Sequence, residues 1–127
     1  DIYMKLWRTF PPEWTRDARL DLEIGRVKTA KELADVITYC QKNKYIAYTI
    51  DSETDNKVTI KAVADPFVQI ADMFQAPKAY KKALQEMDND FCEQILKETK
   101  MAKKGDVKFT SHIAKGDPQT TIEVTVK

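Results

Sequence analysis

Thr29-Ala30-Lys31-Glu32 is a capping box, and Leu33, Val36, Ile37 and Cys40 follow it at helical spacing. The pattern predicts a helix from about Ala30 to Lys42. Two segments rich in β-branched and aromatic residues come next, Tyr45 to Ile50 and Lys57 to Ala64. Asp51-Ser52-Glu53-Thr54-Asp55-Asn56 separates them and has the composition of a turn. A helix followed by a hairpin has one apolar stripe and one apolar sheet face to bury, which restricts the chain to a layered fold.

The same order returns later. Asp90 with Glu93 resembles a second capping box, and Val107 to Ala114 and Thr120 to Val126 read as another hairpin. Lys115-Gly116-Asp117-Pro118-Gln119 is its turn. Residues 30–63 and 90–126 therefore present an α-β-β internal repeat, with little residue identity between the halves. Between them, Asp65-Pro66 marks a helix start, with Phe67, Ile70, Ala71 and Phe74 as a short stripe. Lys78 to Lys103 carries Tyr80, Leu84, Met87, Phe91 and Ile95 on one side. Asp88-Asn89-Asp90 interrupts this stretch, so it reads as one helix or two. Gly105 is expected to end it, after lysines that suit a helix C-terminus.

The N-terminal part alternates. Ile2, Met4 and Leu6 oppose Tyr3, Lys5 and Trp7, and Leu20, Leu22 and Ile24 oppose Arg19, Asp21 and Glu23. This predicts strands over Ile2 to Phe10 and Arg19 to Val27, ended or joined by Pro11-Pro12 and a loop over Glu13 to Asp17. The expected order is β-β-α-ββ-α(α)-ββ. The fold class is α+β: an antiparallel sheet of five to six strands, with two to three helices packed mainly on one face. Residues 1–127 are expected to form one domain.

Composition limits the function. Apolar residues make up 43% and charged residues 32%, which suits a packed core rather than disorder. Twenty-one basic and 20 acidic side chains leave a formal charge of +1, which argues mildly against a dedicated nucleic-acid binder. No apolar run approaches the roughly 20 residues needed to cross a bilayer. Cys40 and Cys92 fall in helical patterns with apolar neighbours. They read as buried, reduced thiols in a cytoplasmic protein, with one disulfide in an exported protein as the alternative. The chain opens on Asp1 rather than methionine, so a preceding segment is expected to have been trimmed.

Catalytic patterns are sparse. The single histidine, His112, lies on the alternating row of Lys108 and Thr110 and is expected to face solvent. The acidic turn Asp51, Glu53, Asp55 lacks the glycine and the bidentate glutamate of a calcium loop. Three glycines and no phosphate-cradling motif lower the expectation of an enzyme, and no cofactor or metal is expected.

The most unusual segment is Lys5 to Arg19. It holds both tryptophans of the chain, Trp7 and Trp14, with Phe10, among Lys5, Arg8, Arg16 and Arg19. Such a mixture suits a protein hot spot, single-stranded nucleic acid or plain core. Trp7, Arg8, Phe10, Trp14, Arg16 and Arg19 are the candidate partner-binding residues. Lys97, Lys100, Lys103, Lys104 and Lys108 form a candidate anion-binding run. The strands Ile2 to Phe10 and Thr120 to Val126 are candidate edges for a homodimer. The reading that results is a non-enzymatic accessory domain acting through protein contact. Nucleic-acid binding is the alternative.

Overall fold

In a computed structural model, which describes residues 2–127, Ile60 and Ile122 face each other across the centre of a four-stranded antiparallel sheet. The strands are β1 (Thr49–Glu53), β2 (Lys57–Ala62), β3 (Gly105–Ser111) and β4 (Thr120–Val126), in the order β1-β2-β4-β3. Val58, Ile60, Ile122 and Val124 are wholly buried, and complete burial of such side chains stabilises by about 1.5–3 kcal/mol each. The helices α3 (Ala30–Lys42) and α5 (Lys78–Glu98) cover this face with Leu33, Val36, Ile37, Phe91 and Ile95. The opposite face is polar: Thr121, Glu123 and Thr125 alternate with the buried row of β4, and Lys57 pairs with Glu123 at 2.8 Å.

The repeat is visible in this arrangement. The units α3-β1-β2 and α5-β3-β4 each place their second strand at the centre and their first at an edge. The capping box of α3 forms as expected, with the Glu32 backbone N–H donating to Thr29 Oγ1 at 3.1 Å. Asp65 caps the helix α4 (Pro66–Met73), accepting from the backbone N–H groups of Phe67 and Val68.

The N-terminal part is helical, not stranded. Ile2–Trp7 is α1 and Phe10–Asp21 is α2, so the sheet has four strands rather than five or six. Pro11 and Pro12 sit in the first turn of α2, where no backbone donor is required. The row that mimicked a strand is not an inward face, since Leu20 is 69% and Leu22 41% exposed. The real inward face is Pro11, Thr15 and Ala18, with Trp14 beside it, at helical spacing. Small and polar side chains hide that period. Glu13 to Asp17 is accordingly helix rather than loop.

Other boundaries also move. Helix α5 runs unbroken through Asp88-Asn89-Asp90. Gly105 opens β3 instead of closing a helix, and a Cβ there would lie 3.1 Å from both Leu96 Cδ2 and the Met101 carbonyl oxygen. β4 lies inside the sheet and Ile2 to Phe10 is helical, so neither is the edge expected for self-pairing; the edges are β1 and β3. Asp1, with any trimmed start, lies outside the described residues.

Four helices end without glycine. Glu23, Tyr45, Gln75 and Lys100 follow α2, α3, α4 and α5 with φ between 52° and 63°, the left-handed conformation. Beyond each, a backbone N–H reaches back five residues: Ile24 to Arg19, Ile46 to Gln41, Ala76 to Ala71 and Met101 to Leu96. These are Schellman closures, and the next residue turns inward at Ile46 and Met101, both 3% exposed. A side chain in this conformation costs about 1 kcal/mol relative to glycine. Replacing the exposed Gln75 or Glu23 by glycine is therefore expected to leave stability unchanged or raise it by up to about 1 kcal/mol in urea unfolding. Loss of more than that would contradict the assignment of these helix ends.

Candidate functional site

The segment Lys5 to Arg19 is neither wholly core nor wholly surface. Trp7, Phe10 and Trp14 are half-buried and run as a chain of rings. Trp7 meets Phe10 edge-on at 5.6 Å, and Phe10 stacks on Trp14 at 4.8 Å. Trp14 touches Phe91 of α5 at 5.8 Å, and Trp7 touches Phe67 of α4 at 6.1 Å. Edge-on and stacked ring pairs of this kind add about 0.5–1.5 kcal/mol each beyond area burial. The seam thus ties α1 and α2 to the remainder. Arg8 is bound to Asp90 by two bonds, 2.8 and 3.2 Å. Arg16 pairs with Asp17 at the surface, and Arg19 donates to the Gly25 carbonyl.

A small pocket opens between Trp7, Arg8, Phe67 and Phe91, with a volume of about 40 Å³ and Lys44, Asp65 and Asp88 in its lining. That volume suits a few water-sized groups, not a long ligand. Lys44 and Asp88 of this lining belong to a buried cluster. Asp88 Oδ1 accepts from Gln41 Nε2 at 2.8 Å and from Lys44 Nζ at 3.2 Å. His112 Nε2 lies 3.0 Å from Asp88 Oδ2. Lys44 also sits 4.0 Å over the Phe91 ring, a cation–π contact. Lys44, Asp88 and His112 are all less than a tenth exposed.

The histidine's role follows from its other nitrogen. His112 Nδ1 accepts from the Ala114 backbone N–H at 3.0 Å, so the ring proton belongs on Nε2, which donates to Asp88. The solvent-facing placement expected for His112 is therefore wrong. The cause is a register shift between Phe109 and Ser111, a bulge that reverses the alternation before His112. Burial alone pushes the Asp88 carboxyl up, but Lys44, His112 and Gln41 outweigh it and hold the group well below the usual range. Asp65 moves the other way, raised by burial and then by the charge of Asp88.

Both cysteines are free and buried. Burial pushes the Cys40 thiol up to about 12 and the Cys92 thiol also upward, so neither is a ready nucleophile. Among the described residues, no three His, Cys, Asp or Glu side chains converge as metal ligands. Among the described residues, no helix is long and apolar enough to cross a membrane.

The lysine run divides. Lys100 and Lys104 border a larger cleft, about 320 Å³, with Arg26, Lys28 and Lys127. Lys97, Lys103 and Lys108 are exposed and lie outside its lining. Arg16 and Arg19 do not border it either. The sequence marks the aromatic segment and the basic run as candidates but does not mark Gln41, Lys44 and Asp88. Asp88 was hidden because an Asp-Asn-Asp triplet resembles a helix break. Its position four residues before Cys92, on the apolar stripe of α5, was the available signal.

No family model matches the chain, and no curated protein matches it in sequence. In structure it is similar to a trafficking protein particle complex subunit 3 from Naegleria fowleri, a crystal structure of that protein covalently bound to palmitic acid. The TM-score is 0.65 at 16% identity, covering 98% of this chain and 77% of that one. The likeness is one of fold.

Removing the Asp88 charge leaves Lys44 buried without its partner. Asp88→Asn is expected to cost about 3–5 kcal/mol at neutral pH, and Lys44→Met with Asp88→Leu to recover much of it, in urea unfolding. The depressed carboxyl stabilises the fold fully above the unfolded value of about 4 and progressively less as pH falls below it. Asp65 acts with the opposite sign, since its raised carboxyl favours the folded state on the acid side. Acid unfolding of the native chain should accordingly steepen below about pH 4, and that steepening should weaken in the double variant.

Proposed function

We propose that this chain is a non-catalytic binding domain that acts through protein contact, as one member of an assembly in a reducing compartment such as the cytoplasm. The observation that carries this reading is the outer face of α4. Ile70, Met73 and Phe74 are 53%, 77% and 78% exposed, and Val63 just before the helix is also exposed. The Trp7–Phe67 contact joins this face to α1, where Ile2 and Leu6 are exposed as well. Large apolar side chains gathered on neighbouring short helices are a poor surface to leave in water and a good one to bury against another chain.

Within the candidate partner-binding set, Trp7 and Arg8 lie beside this face, while Phe10 and Trp14 support them from beneath. Arg16 and Arg19 lie further along α2 and contribute at most to a rim. The fold is shared with a protein described as a complex subunit, which supports the reading. Acylation of a cysteine is disfavoured here, because both thiols are buried and poorly ionised. The partner expected first is a second copy of the chain. Two-fold contacts between identical chains are the commonest kind of oligomer interface, so self-association is the first outcome to test.

Sedimentation from about 1 μM to 1 mM is expected to show a monomer passing into a dimer. A variant combining Met73→Asp and Phe74→Asp should remain monomeric, with unchanged circular dichroism, because both side chains are exposed. A native chain that stays monomeric throughout that range excludes self-contact. A dimer that persists in the double variant excludes α4 as its surface.

A further inference from the structure

We infer that the basic cleft is a binding site for a compact ligand bearing clustered phosphate groups. Three separate segments build it: 26–28, 99–104 and 126–127. Arg26 and Lys28 lead into α3, and the Lys28 backbone is fixed by its N–H bond to Glu32 Oε1 at 2.9 Å. Lys100 is set by the left-handed turn after α5, and Met101 N–H closes that turn on the Leu96 carbonyl at 2.8 Å. Lys127 N–H donates to the Lys104 carbonyl at 2.8 Å, joining the third segment to the second. The backbone that carries the cations is thus ordered before any ligand arrives.

Among the described residues, no acidic side chain borders the cleft. Among the described residues, Arg26, Lys28, Lys100, Lys104 and Lys127 form no ion pair. The first four supply the positive charge whatever follows Lys127. The C-terminus of α5 carries about half a negative charge, which one lysine in its last turn, Lys97, already complements. Four further cations around one cleft, in a chain whose formal charge is only +1, exceed what the helix end requires.

The lining also narrows the ligand. Val27, Met101 and Val126 form a buried floor, and Thr99 spends its hydroxyl on the Ile95 and Leu96 carbonyls. Among the described residues no aromatic ring lines the cleft, so they offer no stacking surface for a nucleobase. Phosphate groups on a small inorganic or polyol body fit these terms, whether free or carried as a lipid headgroup.

Isothermal titration with tripolyphosphate as the probe tests this. Binding is expected at low salt and should weaken several-fold between about 50 and 200 mM salt. Lys100→Glu combined with Lys104→Glu should weaken it at least about tenfold, whereas Lys103→Glu, on the same segment but off the rim, should change it less than about twofold. Thermal unfolding of both variants without ligand checks that the fold persists. No binding at about 1 mM tripolyphosphate, or an equal loss from Lys103→Glu, overturns the site. Co-sedimentation with phosphoinositide vesicles separates the two sources. Vesicle binding displaced by tripolyphosphate identifies a headgroup, and binding to tripolyphosphate alone identifies a soluble ligand. Vesicle binding that tripolyphosphate does not displace counts against the cleft. None of these outcomes depends on the α4 face.

Discussion

A buried carboxylate needs partners, and Asp88 finds them on two other pieces of the chain. Gln41 and Lys44 come from the end of α3, and His112 from the bulged end of β3. The two α-β-β units therefore meet at one charge. The Coulomb gain between Asp88 and Lys44 is set against the cost of taking both out of water, and only the added Gln41 and His112 bonds make the arrangement favourable. Such a cluster contributes less to net stability than an apolar core of equal volume would. Its effect is on specificity: any packing of α3 on α5 that misplaces Asp88 strands a charge.

Around this centre the fold is assembled from local devices. Thr29 and Asp65 cap two helices, and left-handed residues close four. The aromatic seam then fastens α1 and α2 over the pocket that lies above the cluster. Two surfaces remain that the core does not use, the apolar face of α4 and the basic cleft beyond α5. They differ in chemistry: one offers apolar area, the other unpaired positive charge.

The parts legible in the sequence are those whose signal is local. Helix α3 was readable to the residue because its cap and its stripe are both strong. Asp65-Pro66 announced α4 in the same way, and the β4 alternation matched its burial. The N-terminal helices were not legible, because Leu20, Leu22 and Ile24 alternate by coincidence while the buried face of α2 rests on Pro11, Thr15 and Ala18. The left-handed closures of the helices were not legible either, because Glu23, Tyr45, Gln75 and Lys100 stand where glycine would have marked them. His112 was misplaced by one bulge. The aromatic segment was recognised from composition, yet its half-buried state depends on Phe67 and Phe91, which are distant in sequence. The cleft combines Lys100 and Lys104 with Arg26 and Lys28, a proximity that only the folded chain creates.

The His112 ring reports most directly on whether the cluster is built as described. Long-range proton–nitrogen NMR at neutral pH is expected to show a protonated Nε2, a bare Nδ1 and a slowly exchanging Nε2 proton. An Nδ1-protonated ring, or a rapidly exchanging proton, would contradict the bond to Asp88 and the placement of the two halves that rests on it.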